Sequence, residues 1–176
     1  MNLLRLNLDH LDVVLDQMAD RADGAVRPAS QAAAQVLYDQ VKLNVSGLGR
    51  QTGNLYGAIY QVYSKQKSGP GVATYQISWN KRKAPHGYLI EYGHIQRYVT
   101  YMGKDGRFYT AIRPSKRGTP KPGRRASQAV KDAYYVPLAV PKQIPGAAFL
   151  RNATSYAQAA ADAAERVLIR HINNDA

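Results

Sequence analysis

The sequence predicts an α+β fold: N-terminal helices and a long C-terminal helix packed on a mainly antiparallel sheet, with a projecting basic β-hairpin and loop. Three observations lead there. Apolar residues recur with a helical period at both ends of the chain and with period two in the middle. The order is helices, then strands, then one helix, which segregates helix from sheet. No unit of about 20–50 residues repeats, which excludes a solenoid. A length of 176 residues fits one domain spanning 1–176, and 45% hydrophobic content suffices for a packed core.

The elements follow in order. Leu4, Leu8, Leu11, Leu15 and Met18 lie three and four apart, one stripe of an amphipathic helix. Asp9, Asp12, Asp16 and Asp20 fall on the other side, an acidic face for solvent or for a basic partner. Gly24 and Pro28 interrupt the pattern. Proline suits a first helical turn, so a second helix is expected from near Pro28 to about Asn44. Ala29, Ala32, Ala33, Val36, Leu37 and Val41 form its buried side, and Gly47 and Gly49 stop it.

From Leu55 the period becomes two. Ile59–Ser64 and Val72–Trp79 read as strands around the Gly69-Pro70-Gly71 turn. Tyr88–Tyr92 is an apolar run whose period fits strand and helix alike. Residues 98–112 read as a hairpin. Asp105-Gly106 between alternating runs predicts a two-residue turn, because both turn positions need positive φ. That register sets Met102 against Tyr109, Val99 against Ile112 and Lys104 against Arg107. Residues 113–127 combine proline, glycine and like charges and read as a mobile loop. Pro137, Pro141 and Pro145 punctuate an extended return, and a closing helix runs from about Ala147 to Ile172.

Charge is concentrated in one segment. The chain carries 24 Lys+Arg against 12 Asp+Glu, a net +12. Residues 80–125 hold twelve of the cations: Lys81, Arg82, Lys83, Arg97, Lys104, Arg107, Arg113, Lys116, Arg117, Lys121, Arg124 and Arg125. Their only acids are Glu91 and Asp105, so this segment alone carries +10. Such a field attracts polyanions or acidic protein surfaces. These twelve are the candidate contacts for DNA or a protein partner, and Asp9, Asp12, Asp16 and Asp20 are the candidate acidic partner face.

The residues offer little chemistry. No cysteine is present, which excludes disulfides, thiolate metal sites and thiol catalysis. Gly47–Gly53 lacks the glycine spacing of a dinucleotide fingerprint and the Gly-Lys-Ser/Thr of a triphosphate loop. His86, Glu91 and His94 do not have metal-ligand spacing on one helical face. No catalytic residue, metal or cofactor is expected. No targeting segment and no run of about 20 apolar residues is seen, so the expectation is a chain made in a cytoplasm, without a membrane partner. Nine of the 13 tyrosines lie between Tyr56 and Tyr109, interleaved with cations. That pattern suits strands and protein interfaces, or stacking on single-stranded nucleic acid.

Three ordered blocks carry a resemblance. They are Thr52-Gly53-Asn54-Leu55 running on to Ile59, then Tyr88-Leu89-Ile90-Glu91-Tyr92-Gly93, then Pro145 through Phe149-Leu150 to Ala153. In this order the chain resembles the tail-completion, or neck, proteins that join head to tail in long-tailed bacteriophages. The resemblance covers about residues 8–172 and leaves residues 94–144 as an insertion holding the hairpin and most of the basic loop. It implies a non-enzymatic structural virion protein at the head–tail junction, completing or terminating the tail. It further implies a ring of identical subunits, a hexamer or dodecamer, touching neighbouring neck and tail-tube proteins and the passing DNA. Thr52, Gly53, Leu55, Tyr88, Glu91, Gly93, Pro145, Phe149 and Leu150 are then scaffold, with Glu91 placed to hydrogen-bond across a subunit boundary. The alternative reading is a nucleic-acid-binding module using the basic segment 80–125.

Overall fold

The computed structural model describes residues 9–49 and 53–173, with side chains from Leu15 onward. Leu4, Leu8 and Thr52 lie outside the described residues, as do the side chains of Asp9, Leu11 and Asp12. The architecture is α+β, as expected. The helical part is larger and more continuous than the sequence suggested. One helix, α1, runs from Asp9 to Ser46, with Pro28 inside it. Proline there removes the hydrogen bond to the Gly24 carbonyl, a defect of about 3 kcal/mol in an isolated helix. Burial on both sides offsets the loss: Ala25, Ala29 and Ala34 are all buried. The small side chains let α1 approach the closing helix α5, Ala157–Asn173, whose Ala160 is also buried. Tertiary packing overrides the local break.

Gly53 opens a short helix α2, Asn54–Ala58, and its carbonyl accepts from the Gly57 N–H at 3.0 Å. Strands β1, Ile59–Tyr63, and β2, Tyr75–Trp79, pair antiparallel with Ile59 opposite Trp79. This ribbon docks on α1. Asp23 accepts from the Gly71 N–H at 2.7 Å, and the Arg27 guanidinium lies 4.5 Å from the centre of the Tyr63 ring. The core sits where the ribbon meets the helices: Val41, Val45, Leu55, Ala58, Ile59, Trp79, Ala84, Phe149 and Ala153. The Phe149 ring meets Trp79 edge-on at 5.6 Å.

Tyr88–Tyr92, open between helix and strand in the sequence, belongs to a helix, α3, Gly87–Tyr92. Strand β3, Gly93–Tyr98, follows directly and pairs antiparallel with β6, Pro137–Pro145. His94 lies opposite Ile144, so the two ends of the 94–144 segment face each other. Among the described residues β6 pairs only with β3, and Pro141 falls where the register breaks between Gln96 and Tyr98. Edge strands and bulges are where a sheet tolerates prolines. The strands of the described residues therefore form three separate two-stranded ribbons, the third being β4, Thr100–Met102, with β5, Phe108–Thr110.

Two further expectations change. The hairpin register is Met102 with Phe108 and Tyr101 with Tyr109, one residue from the predicted pairing. The loop has three residues, not two: the Gly103 N–H bonds Arg107 O at 2.8 Å, and Gly106 N–H bonds Gly103 O at 3.0 Å. Gly106 takes φ +74°, the usual third position of such a loop. The closing helix begins later than predicted. Arg151–Tyr156 forms a 3₁₀ turn before α5.

Candidate assembly surface

The scaffold residues of the three blocks converge. Leu55 and Phe149 share the core, and Gly93 lies opposite Pro145. The join is made by Glu91, which has 0% exposure and is the one buried charged residue among those described. Its carboxylate accepts from the Leu150 N–H at 2.9 Å, the Arg151 N–H at 3.3 Å and the Arg151 Nε at 3.0 Å. Its carbonyl accepts from the Ala148 N–H at 3.2 Å and Arg151 Nη2 at 3.0 Å. The first N–H groups of a helix have no partners inside the helix. The Arg151–Tyr156 turn lacks a side-chain cap of its own, so Glu91 caps it from another element. The expected hydrogen bond from Glu91 across a subunit boundary is overturned, since its acceptors are taken up within the chain. Leu150 is only half-buried, and Tyr88 is exposed, its ring tilted against that of Tyr92 at 4.7 Å rather than in the core.

The basic residues separate into two groups. Lys81, Arg82 and Lys83 occupy the turn after β2, where the Asn80 side chain accepts from the Arg82 and Lys83 N–H groups. The other nine lie on the arm formed by residues 94–144. A closed triangle of backbone bonds holds its middle: Val99 N–H to Val136 O, Val136 N–H to Ala111 O, and Ala111 N–H to Val99 O, at 2.8–2.9 Å. Arg113 is taken up there. Its Nε donates to the Asp132 and Tyr135 carbonyls at 3.0 and 3.2 Å.

The 113–127 loop, expected to lack structure, has a 3₁₀ turn at Pro114–Lys116 and leans on a helix the sequence did not announce, α4, Gln128–Tyr134. Ser127 caps α4 by accepting from the Val130 N–H. The Tyr134 hydroxyl holds the Thr119 carbonyl at 3.0 Å, and Lys131 Nζ holds that of Arg124 at 3.1 Å. Lys116, Arg117, Lys121, Arg124 and Arg125 remain exposed. Among the described residues only Asp105–Arg107 and Glu91–Arg151 form ion pairs within 4 Å, so these five face outward unpaired.

Two Tyr–Asp pairs stiffen the arm. The Tyr109 hydroxyl donates to Asp105 at 2.6 Å, and that of Tyr98 donates to Asp132 at 2.7 Å. The Tyr109 hydroxyl, then the Arg107 N–H, hold Asp105 below the ordinary 3.8. In return Asp105 raises Tyr109 above 10.0. Tyr98 and then Gln128 lower Asp132. Burial first, then Asp132, raises Tyr98. A lowered acid stabilises the fold above its unfolded pKa and loses that contribution as pH falls through the folded value. A raised tyrosine contributes fully below its unfolded pKa and loses it as pH climbs through the folded one. The hairpin tip is therefore insensitive to pH between 3.8 and 10.0 and loosens outside that window. Carboxyl NMR is expected to show Asp105 titrating below 3.8, and Tyr109→Phe to return it toward that value. An unmoved midpoint contradicts the coupling.

Among the described residues no helix is long and apolar enough to cross a membrane. Nor do three His, Asp or Glu side chains of those residues gather as a metal site. Glu91, one of the three residues weighed as metal ligands, is enclosed by its donors. Compared with protein-family models, curated proteins and solved structures, the chain matches none.

Proposed function

We propose that this chain is a structural virion protein of the bacteriophage neck, working as a ring of identical subunits that completes or terminates the tail and joins it to the head. The observation that supports this reading is the convergence on Glu91. Two of the three blocks behind the resemblance meet at that carboxylate, and the first joins them through Leu55 in the same core. Their described residues build a frame. The frame leaves the arm, with its exposed cations and aromatics, as the presented element. That division suits a subunit whose work is contact. Rings of this kind are heterologous, each subunit offering a different face to the next.

A second reading has its own observation. The five outward, unpaired cations of residues 116–125 suit a polyanion, as in a nucleic-acid-binding module. If about five phosphates were neutralised, log K would fall with log salt at a slope near −4.5. Deleting residues 113–125 separates the two readings. Loss of head–tail joining with unchanged DNA affinity is the result expected of a neck subunit. Loss of DNA binding with normal particles, or absence of the protein from virions, overturns the neck assignment.

A further inference from the structure

We infer that the apolar tip of the arm seats on the N-terminal end of α1 in a second copy of this chain. The inference rests on the ring reading and names the contact that builds the ring.

The first half of the contact is the exposed stretch of α1 from Leu15 to Asp20. The segment leading into α5 meets α1 at Asn44, whose amide donates to the Phe149 carbonyl at 2.8 Å, and α5 then packs along α1. Going toward the N-terminus, burial ends after Arg21 and Ala22, and every residue from Leu15 to Asp20 is exposed. α1 nevertheless continues to Asp9. At 1.5 Å per residue, the exposed stretch from Leu15 to Asp20 is about 9 Å of helix. Its apolar stripe is the same one that Ala25 and Ala29 bury farther along. Here it leaves Leu15 53% and Met18 46% exposed. Asp16 lies about 100° round the helix from Leu15, and Asp20 continues the acidic side.

The second half is a ribbon tip with the complementary character. Met102 and Phe108, paired across β4 and β5, are 63% and 59% exposed, and Tyr101 and Tyr109 beside them are exposed too. Beyond that pair come Lys104 in the loop and Arg107 at its end, with Asp105 between them 3.8 Å from the Arg107 guanidinium. A two-stranded ribbon with apolar groups in water is marginal by itself. Here the backbone triangle at Val99, Ala111 and Val136 pins it and keeps it presented.

The match is in kind and in order. A ribbon laid across the helix sets Met102 and Phe108 on Leu15 and Met18. Its loop then passes the helix edge, where Lys104 reaches the flank carrying Asp16 and Asp20, and Arg107 joins it by exchanging its exposed, 3.8 Å pairing with Asp105 for them. Duplex DNA does not account for this tip, because its phosphates answer the two cations while its bases stay stacked on one another and leave nothing for Met102 and Phe108. The outward cations of residues 116–125, which have no such apolar company, are separate from it. The contact is heterologous, helix end of one copy to arm of the next, and so propagates around a ring.

The test uses the full chain, with molar mass followed by light scattering across concentration. Asp16→Lys with Asp20→Lys, and separately Lys104→Glu with Arg107→Glu, are each expected to weaken subunit association about tenfold or more. Combining all four restores the charge match and is expected to bring association back to within about threefold of the parent chain. Met102→Ser with Phe108→Ser is expected to weaken association with an unchanged circular dichroism melt, since both side chains are already in water. Assembly unaffected by the reversals, or no recovery in the fourfold variant, overturns this contact while leaving the ring reading in place. A parent chain that stays single at every concentration removes the ring reading and the contact with it.

Discussion

Glu91→Ala is expected to lower the stability of the folded chain by about 3–5 kcal/mol, from the loss of two backbone caps held by a charged acceptor. The Leu150 and Arg151 N–H groups lose their partner in a region that water reaches poorly. The Arg151 side chain is 59% exposed and regains water, so its charge adds little to the loss. Glu91→Gln keeps the shape and one acceptor oxygen but turns an amide NH₂ toward a donor, so about half the effect is expected. Arg151→Ala is expected to cost least, about 1 kcal/mol. For a chain of this size the Glu91→Ala loss corresponds to roughly 10 °C in Tm. Thermal or urea melts of the three variants give the ranking. If Arg151→Ala matched Glu91→Ala, the group would be an ion pair rather than a cap, and the role assigned to Glu91 would be wrong.

The cap also shows where sequence reading stops. Periodicity exposed both long helices, the β1–β2 ribbon and the existence of the arm, because side-chain alternation and helical spacing are local. The segment 94–144 was legible from its ends, and His94 does lie opposite Ile144. What failed depended on distant partners. Pro28 reads as a helix start until the elements packed on α1 bury Ala25 and Ala29. Asp105-Gly106 reads as a two-residue turn. The third loop residue is set by Asp105 accepting from the Arg107 N–H at 3.2 Å and from Tyr109. α4 carries its signal in Ser127, a weak cue beside so many prolines and cations. For Glu91, one sign was available: it is the lone acid between Asp39 and Asp105. A single carboxylate in so basic a stretch, next to a helix start without a cap residue, is a reason to pair the two.

Gly93→Ala is the other substitution expected to act strongly, at about 3–5 kcal/mol, and it separates two kinds of strain. Gly93 has φ +78° and ψ 177°, a region essentially reserved for glycine, worth about 1–3 kcal/mol to any other residue. A Cβ there also meets Ile144 O at 2.5 Å and Gly146 N at 2.7 Å, both backbone atoms of the facing strand end. Overpacking of that kind adds about 1–3 kcal/mol. Two other glycines isolate the contributions. Gly106 has φ +74° with nothing within 4 Å of a Cβ, so Gly106→Ala carries a positive-φ cost without a clash, a lower bound for the backbone cost at Gly93. Gly146 has no positive φ, yet a Cβ there meets Glu91 O at 2.5 Å and Gly93 N at 2.7 Å, so Gly146→Ala carries the clash alone. Gly93→Ala is expected to exceed each in chemical denaturation and to approach their combined loss. The ordering has a structural consequence. Gly93 and Gly146 press the ends of β3 and β6 together beside the Glu91 cap, so the same close approach that seats the closing helix also fixes where the arm leaves the frame. If Gly93→Ala proved no costlier than Gly106→Ala, the strand ends would have room to part, and the direction of the arm would not be set by this contact.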